Sequence, residues 1–227
     1  MTVTLTGKGV LAGMRRLATI ALLVFPFGFG YGAAAINAGM TPIEAIAMSA
    51  LVFAGASQFA VLDIWVQPLP LLSLALITLV VNARHIIFGA ALAPDINTLP
   101  RRKRILAGLF LSDANFADMQ IARRNGDRDL GILVGGGLVM WIFWVIGTAA
   151  GALAGGATED LSKFGLDMVM AAFFMTVMIG GLRSGTPALP LIVGAIVAIV
   201  TLSFLPVGWN VLAGAFAGGI AGVLRRG

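Results

Sequence analysis

The chain has no cysteine, a single histidine and a single tyrosine among 227 residues, and only 11% of those residues are charged. Without cysteine there can be no disulfide and no thiolate metal site, and the usual cue to redox compartment is missing. The charged fraction lies far below the roughly 25% of a soluble domain. Its counterpart is a hydrophobic content of 59% and a mean hydropathy of +0.99. Such a composition belongs to an integral membrane protein. No Walker A loop is present, so nothing points to nucleotide hydrolysis. The net charge of +5 sits in short basic clusters at the ends of apolar windows, where it sets orientation in a bilayer instead of advertising nucleic-acid binding.

Charge-free windows run over 17–43, 45–62, 64–83, 130–158, 168–182 and 184–224. About 20 apolar residues cross a hydrocarbon core, so the last window, interrupted by Pro206 and Gly208, holds two helices. The fold class expected is all-α, a polytopic membrane protein of seven or eight transmembrane helices forming one transporter domain over 1–227. Lys8, Arg15 and Arg16 imitate the start of a signal peptide, but the apolar run behind them is too long for one and is expected to be retained. The stretch 105–122 is the eighth candidate. It carries Asp113, Asn115, Asp118 and Gln120, is bracketed by basic clusters, and either spans or dips in and returns.

Met48, Phe53 and Leu69-Pro70-Leu71 recur 120 residues later as Met168, Phe173 and Leu189-Pro190-Leu191; Gly28 and Gly32 recur at 119 as Gly147 and Gly151. This predicts duplicated three-helix units, about 17–94 and 135–206, joined by a polar connector over 95–129. Copies of opposite orientation follow if 105–122 does not cross, and parallel copies if it does.

Polar groups inside such windows are the candidate working residues, because lipid offers them no partners. In the first window, Pro26 removes an amide donor and Gly28, Gly30 and Gly32 remove side chains, which predicts a broken helix whose backbone binds substrate; close packing through small residues is the alternative. Ser57 and Gln58 lie beside Ala54-Gly55-Ala56 and are expected to line a cavity with Asn82. Asp63 stands toward an interface and is either a proton-handling group or a solvated carboxylate. Asn82 and His85 share a helical face, with Arg84 pointing elsewhere to snorkel or to pair. His85 either couples transport to protons or serves as a neutral donor. Asp113 and Asp118 suit a proton relay or recognition of an amine, or else an amphipathic helix.

The run Ser49-Ala50-Leu51-Val52-Phe53-Ala54-Gly55-Ala56-Ser57-Gln58-Phe59, followed by Asn82-Ala83-Arg84-His85 and Ser112-Asp113, resembles the AzlC family of bacterial branched-chain amino acid exporters over nearly the whole chain. The chain departs from the family pattern at Ala114, where a glutamate often follows the aspartate. The resemblance implies a multi-pass protein of the bacterial inner membrane, working as a secondary carrier with a small four-span partner of the AzlD type and no cofactor. Export of branched-chain amino acids or similar small amphipathic metabolites is then the expected function, with Asp63, Arg84, His85, Asp113 and Asp118 as candidates for proton coupling or gating. Two other readings remain open: an intramembrane hydrolase built on Ser57 and His85, and a passive channel subunit, which the isolated polar groups serve poorly.

Overall fold

The computed structural model describes residues 3–62, 64–155, 175, 179, 188–205 and 209–225. Asp63, Asp167, Glu159 and Asp160, the predicted span at 168–182, and the matches Met168 and Phe173 lie outside the described residues. The described part is helical throughout: α1 (Gly7–Asn37), α2 (Pro42–Val52), α3 (Gly55–Leu62), α4 (Leu71–Asn82), α5 (Arg84–Ile96), α6 (Arg101–Leu109), α7 (Asp113–Arg124), α8 (Gly131–Gly155), α9 (Ala188–Thr201) and α10 (Trp209–Leu224). Among these, α1 and α8 are long and apolar enough to cross a membrane, and α4 with α5 makes a third crossing if the pair, bent by 43°, counts as one. The expected seven or eight spans therefore stand only in part.

The first helix is not broken. Residues 26–32 continue α1 without interruption, with Pro26 inside it. One proline removes a single ladder bond, and here packing outweighs that loss. The glycines are where α8 touches: a Cβ on Gly28 would stand 2.6 Å from the Trp144 carbonyl oxygen and one on Gly147 would stand 2.5 Å from that of Phe25. Gly32 meets the Thr148 carbonyl and Gly151 that of Phe29 in the same way. Small residues let two backbones approach this closely when lipid supplies no hydrophobic drive.

These contacts fix direction. Gly13 lies against Ile132, Gly28 against Gly147 and Gly32 against Ala152, so α1 and α8 run parallel, and Gly28 meets Gly147, its match at an offset of 119. The helix pair therefore has one end at Gly7 and Gly131 and another at Asn37 and Gly155.

The second apolar window, read as a span, is a hairpin instead. From Met40, α2 descends along α8: Ser49 Oγ meets Thr148 Oγ1 at 2.8 Å and Trp141 Nε1 donates to the Ala50 carbonyl at 3.0 Å. At Phe53 the backbone turns through the left-handed region, φ 44°, and α3 climbs back. Phe59 packs on Tyr31 at 5.6 Å between ring centroids, and Leu62 joins the same cluster as Met40. Helix α4 descends beside α3, with Asn82 opposite Ser57 and Ile77 opposite Val61, and after the bend α5 reaches the Gly7 end, where Leu92 packs with Leu130 and Ala107.

A second hairpin enters from that end. Lys103 at the start of α6 donates to the Leu5 carbonyl at 3.0 Å. The tip at Phe110–Ser112 reaches the level of Gly137, and α7 returns to place Met119 and Ala122 beside Leu130. Thus 105–122 falls on a helical hairpin, α6 and α7, that starts and ends at the Gly7 side. Because 45–62 also returns to its own side, the count of crossings between α1 and α8 drops by one, and the two helices come out parallel. Lys8, Arg15 and Arg16, Arg101 to Arg104, and Arg123, Arg124 and Arg128 all gather at one end.

At the opposite end, Thr41 caps α2. Its hydroxyl accepts from the Glu44 amide, while its own backbone N–H donates to the Glu44 carboxylate at 2.7 Å. The backbone bond, followed by the one from the Thr41 hydroxyl, holds the Glu44 carboxyl below the usual carboxylate range. The antiparallel pair α9 and α10 packs through Gly194, Gly214 and Gly218, and Leu212 ties it to Ile77 and Val61.

Candidate functional site

The two hairpin tips and the α4–α5 bend converge on one cavity of about 230 Å³. The α2–α3 tip contributes Phe53, Ala54, Gly55 and Ala56; the α6–α7 tip contributes Ser112, Asp113 and Ala114; the bend contributes Arg84 and His85. Val24, Phe27, Met140 and Trp144 from the α1/α8 pair form its apolar wall. The N-termini of α3, α5 and α7 all open here, at Gly55, Arg84 and Asp113. A helix start carries free amides and a partial positive charge, so the three together favour a negatively charged group.

Charge in the cavity is arranged as a pair. Arg84 Nη2 stands 3.1 Å from Asp113 Oδ2, and the Asp113 side chain remains 53% exposed. The Arg84 Nε and the Asn82 Oδ1 are buried and make no hydrogen bond, which leaves one donor and one acceptor uncommitted near the cavity. His85 Nδ1 lies 3.1 Å from the Asn82 carbonyl, and its ring stands edge-on to Phe88 at 5.7 Å. The bend at Ala83 breaks the shared face expected of Asn82 and His85. Arg84 and His85 turn to the cavity, while Asn82 Nδ2 donates to Ser57 Oγ at 3.1 Å.

Behind the α2–α3 tip lies a buried polar network. Gln58 is fully enclosed; its Oε1 accepts from Trp144 Nε1 at 3.1 Å and from the Ala54 amide at 3.3 Å, and its Nε2 donates to Ser49 Oγ at 3.0 Å. Ser57 Oγ donates to the Ala54 carbonyl at 2.9 Å. Every one of these bonds pins the tip to α8 or to itself, since leaving such groups unpaired in an apolar interior costs more than a made bond returns. Among the described residues no hydrogen bond joins Ser57 to His85.

Of the residues expected to contact substrate, Gly28, Gly30 and Gly32 are buried in α1, and Ser57, Gln58 and Asn82 stand behind the cavity wall instead of on it. Of those expected to gate, Arg84, His85 and Asp113 line the cavity. Asp118 does not: it holds Arg16 through two oxygens, with Arg16 Nη2 at 2.7 Å and Nε at 2.8 Å, fastening α7 to α1. Trp144 was not singled out as a site residue; the small residues at the start of α3 were, as the surroundings of Ser57 and Gln58. They are the run Ala54-Gly55-Ala56, whose Gly55 accommodates the Trp144 ring, 2.9 Å from where a Cβ would be.

The "Inner membrane protein YgaZ" of Escherichia coli (strain K12) is 27% identical over 91% of this chain and 86% of its own length. The "Branched-chain amino acid transport protein AzlC" of Bacillus subtilis (strain 168) is 28% identical over 67% of this chain, and an "Uncharacterized membrane protein" of Archaeoglobus fulgidus is 35% identical over 60%. The aligned parts span 59% and 58% of those two relatives. No solved structure matches. The AzlC protein family matches residues 19–158, a stretch that contains both hairpins, the bend and the helix pair they pack on. The chain belongs to the AzlC family.

Proposed function

We propose that this protein is a secondary active exporter of branched-chain amino acids or similar small amphipathic metabolites, and that the cavity between the two hairpin tips is its substrate site. The observation that carries this reading is the placement of Arg84, His85 and Asp113 opposite Val24, Phe27, Phe53 and Met140 in one cavity. A zwitterion with an aliphatic side chain needs both halves: charged partners for its head and an apolar wall for its tail. Interrupted helices supply the same combination at the midplane of other carriers, helix N-termini facing a carboxylate and C-terminal carbonyls facing a cation.

The hairpins give the reading a mechanism. The α2–α3 hairpin enters from the Asn37 end and the α6–α7 hairpin from the Gly7 end, so withdrawal of either one opens the cavity toward a different side. The basic residues gathered at the Gly7 end favour the cytoplasmic side for it. On this view α6–α7 is the inner gate and α2–α3 the outer one. Proton coupling falls to His85, which lines the cavity beside Arg84 and Asp113. A small AzlD-type membrane subunit completes the exporter in the bacterial inner membrane. Gln58, Ser57 and Asn82 act at one remove, by holding the outer tip in place.

The test is efflux of labelled leucine from proteoliposomes containing this protein with and without the small subunit, under an imposed pH gradient. Efflux that responds to the gradient and falls at least tenfold in Arg84→Ala, with Asn97→Ala unchanged, supports the reading. Leucine release no faster than from protein-free vesicles, in either composition, removes it.

A further inference from the structure

Arg84 and Asp113 carry opposite charges, face the same cavity and belong to different elements, one at the α4–α5 bend and the other at the tip of the α6–α7 hairpin. They neutralise each other at 3.1 Å. A charge without a partner among the apolar residues of such a cavity is costly, so each of the two is stabilised by having the other within reach. The pair has the same two charges, of reversed placement, as the head of an α-amino acid.

We propose that the Arg84–Asp113 pair is an internal substitute for the substrate head group, and that an α-amino acid enters by separating it. This rests on the transport reading above. The carboxylate then takes the Arg84 guanidinium, whose Nε is buried and uncommitted, together with the free amides at the start of α3. The ammonium takes Asp113. Each charge thereby exchanges one partner for another and none is left bare in either state. The same exchange makes the site selective: a ligand with a carboxylate alone leaves Asp113 without a partner, and a ligand with an ammonium alone leaves Arg84 without one. The substrate class is therefore the zwitterionic aliphatic α-amino acid, with the corresponding 2-oxo acid and amine rejected.

The experiment measures binding of leucine, 4-methyl-2-oxopentanoate and 3-methylbutylamine to the purified full chain, alone and with the small subunit, in lipid nanodiscs by titration calorimetry. The unaltered protein should prefer leucine over both analogues by about 10- to 100-fold, the worth of one charge-assisted hydrogen bond. Asp113→Asn should reverse the order in favour of the oxo acid, and Arg84→Gln in favour of the amine. A gain of affinity for a new ligand cannot come from a misfolded protein, which keeps the test decisive even if leucine binding is lost. If both variants weaken leucine without changing the order of the three ligands, the proposal is wrong while the transport reading stands. If the unaltered protein binds none of the three, the transport reading falls and the proposal with it.

Discussion

Gln58 Oε1 accepts a hydrogen bond from Trp144 Nε1 at 3.1 Å, tying the tip of the α2–α3 hairpin to the middle of α8. Trp144 also stacks on Tyr31 at 5.9 Å and lines the cavity, so one side chain joins hairpin, scaffold and site. Gln58→Leu strands the Trp144 donor and removes the partner of Ser49 in an enclosed interior. The expected loss is about 1–3 kcal/mol of stability, read as a lower midpoint in a detergent unfolding series. Gln58→Glu keeps the acceptor and should lose less transport than Gln58→Leu at the same expression level.

Gly151 and Gly89 separate packing from conformational freedom. A side chain on Gly151 meets the Phe29 backbone, whereas nothing lies within 4 Å of one on Gly89. Gly151→Ala is expected to force α1 and α8 apart and to lower the yield of folded protein in membranes. Gly89→Ala, inside α5, should be tolerated and gain up to about 1 kcal/mol from helix propensity. Equal behaviour of the two variants in a thermal stability assay would contradict close packing as the purpose of the α1/α8 glycines.

Arg16 and Asp118 form a two-pronged pair between α1 and α7. A planar guanidinium fits a carboxylate in a way an ammonium does not. Arg16→Lys is therefore expected to behave like Arg16→Ala in loosening the α6–α7 hairpin, measured as faster hydrogen exchange over residues 105–122 with the exchange of α8 unaltered.

The Thr41–Glu44 cap gives a dependence on pH with a definite sign. Its carboxyl is held below the usual range in the folded state, so its contribution to stability is complete above the ordinary carboxylate range. It disappears as the pH falls through the lowered value. The difference in thermal midpoint between the unaltered protein and Glu44→Gln should be greatest near neutral pH and close to zero in strong acid. A difference that grows on acidification would reverse the sign and refute the cap.

Much of the architecture was legible in the sequence, and the rest failed for identifiable reasons. Charge-free windows located α1, α4 and α8, because apolar length is what a bilayer selects. Asp113 and Asp118 left open whether 105–122 spans or returns; the fold makes it a hairpin, with Asp118 paired to Arg16 and Asp113 to Arg84. The broken first helix was wrong because proline and glycine mark either a break or a contact, and only the neighbour decides; α8 is that neighbour. The real break, at Phe53, carries no proline, and a phenylalanine at positive φ is a conformation that residue pattern does not announce. Gln58 and Asn82 were expected to line the substrate cavity; in the fold they bond to Trp144, Ser49 and Ser57, which sequence spacing could not pair with them. Arg84 and His85 reach the cavity because Ala83 bends the chain, a 43° change that an ideal helical wheel hides.

The absence of cysteine makes the most direct measurement available without altering any native thiol. Single substitutions Ala56→Cys and Ala114→Cys place a thiol at each hairpin tip on the cavity wall, and Asn97→Cys places one at an exposed turn away from it. If the cavity is the substrate site, leucine at ten times its Kd slows labelling by a small thiol reagent about tenfold at both tips and leaves Asn97→Cys unaffected. Unchanged labelling at both tips, in a preparation that still transports leucine, would show that substrate passes elsewhere.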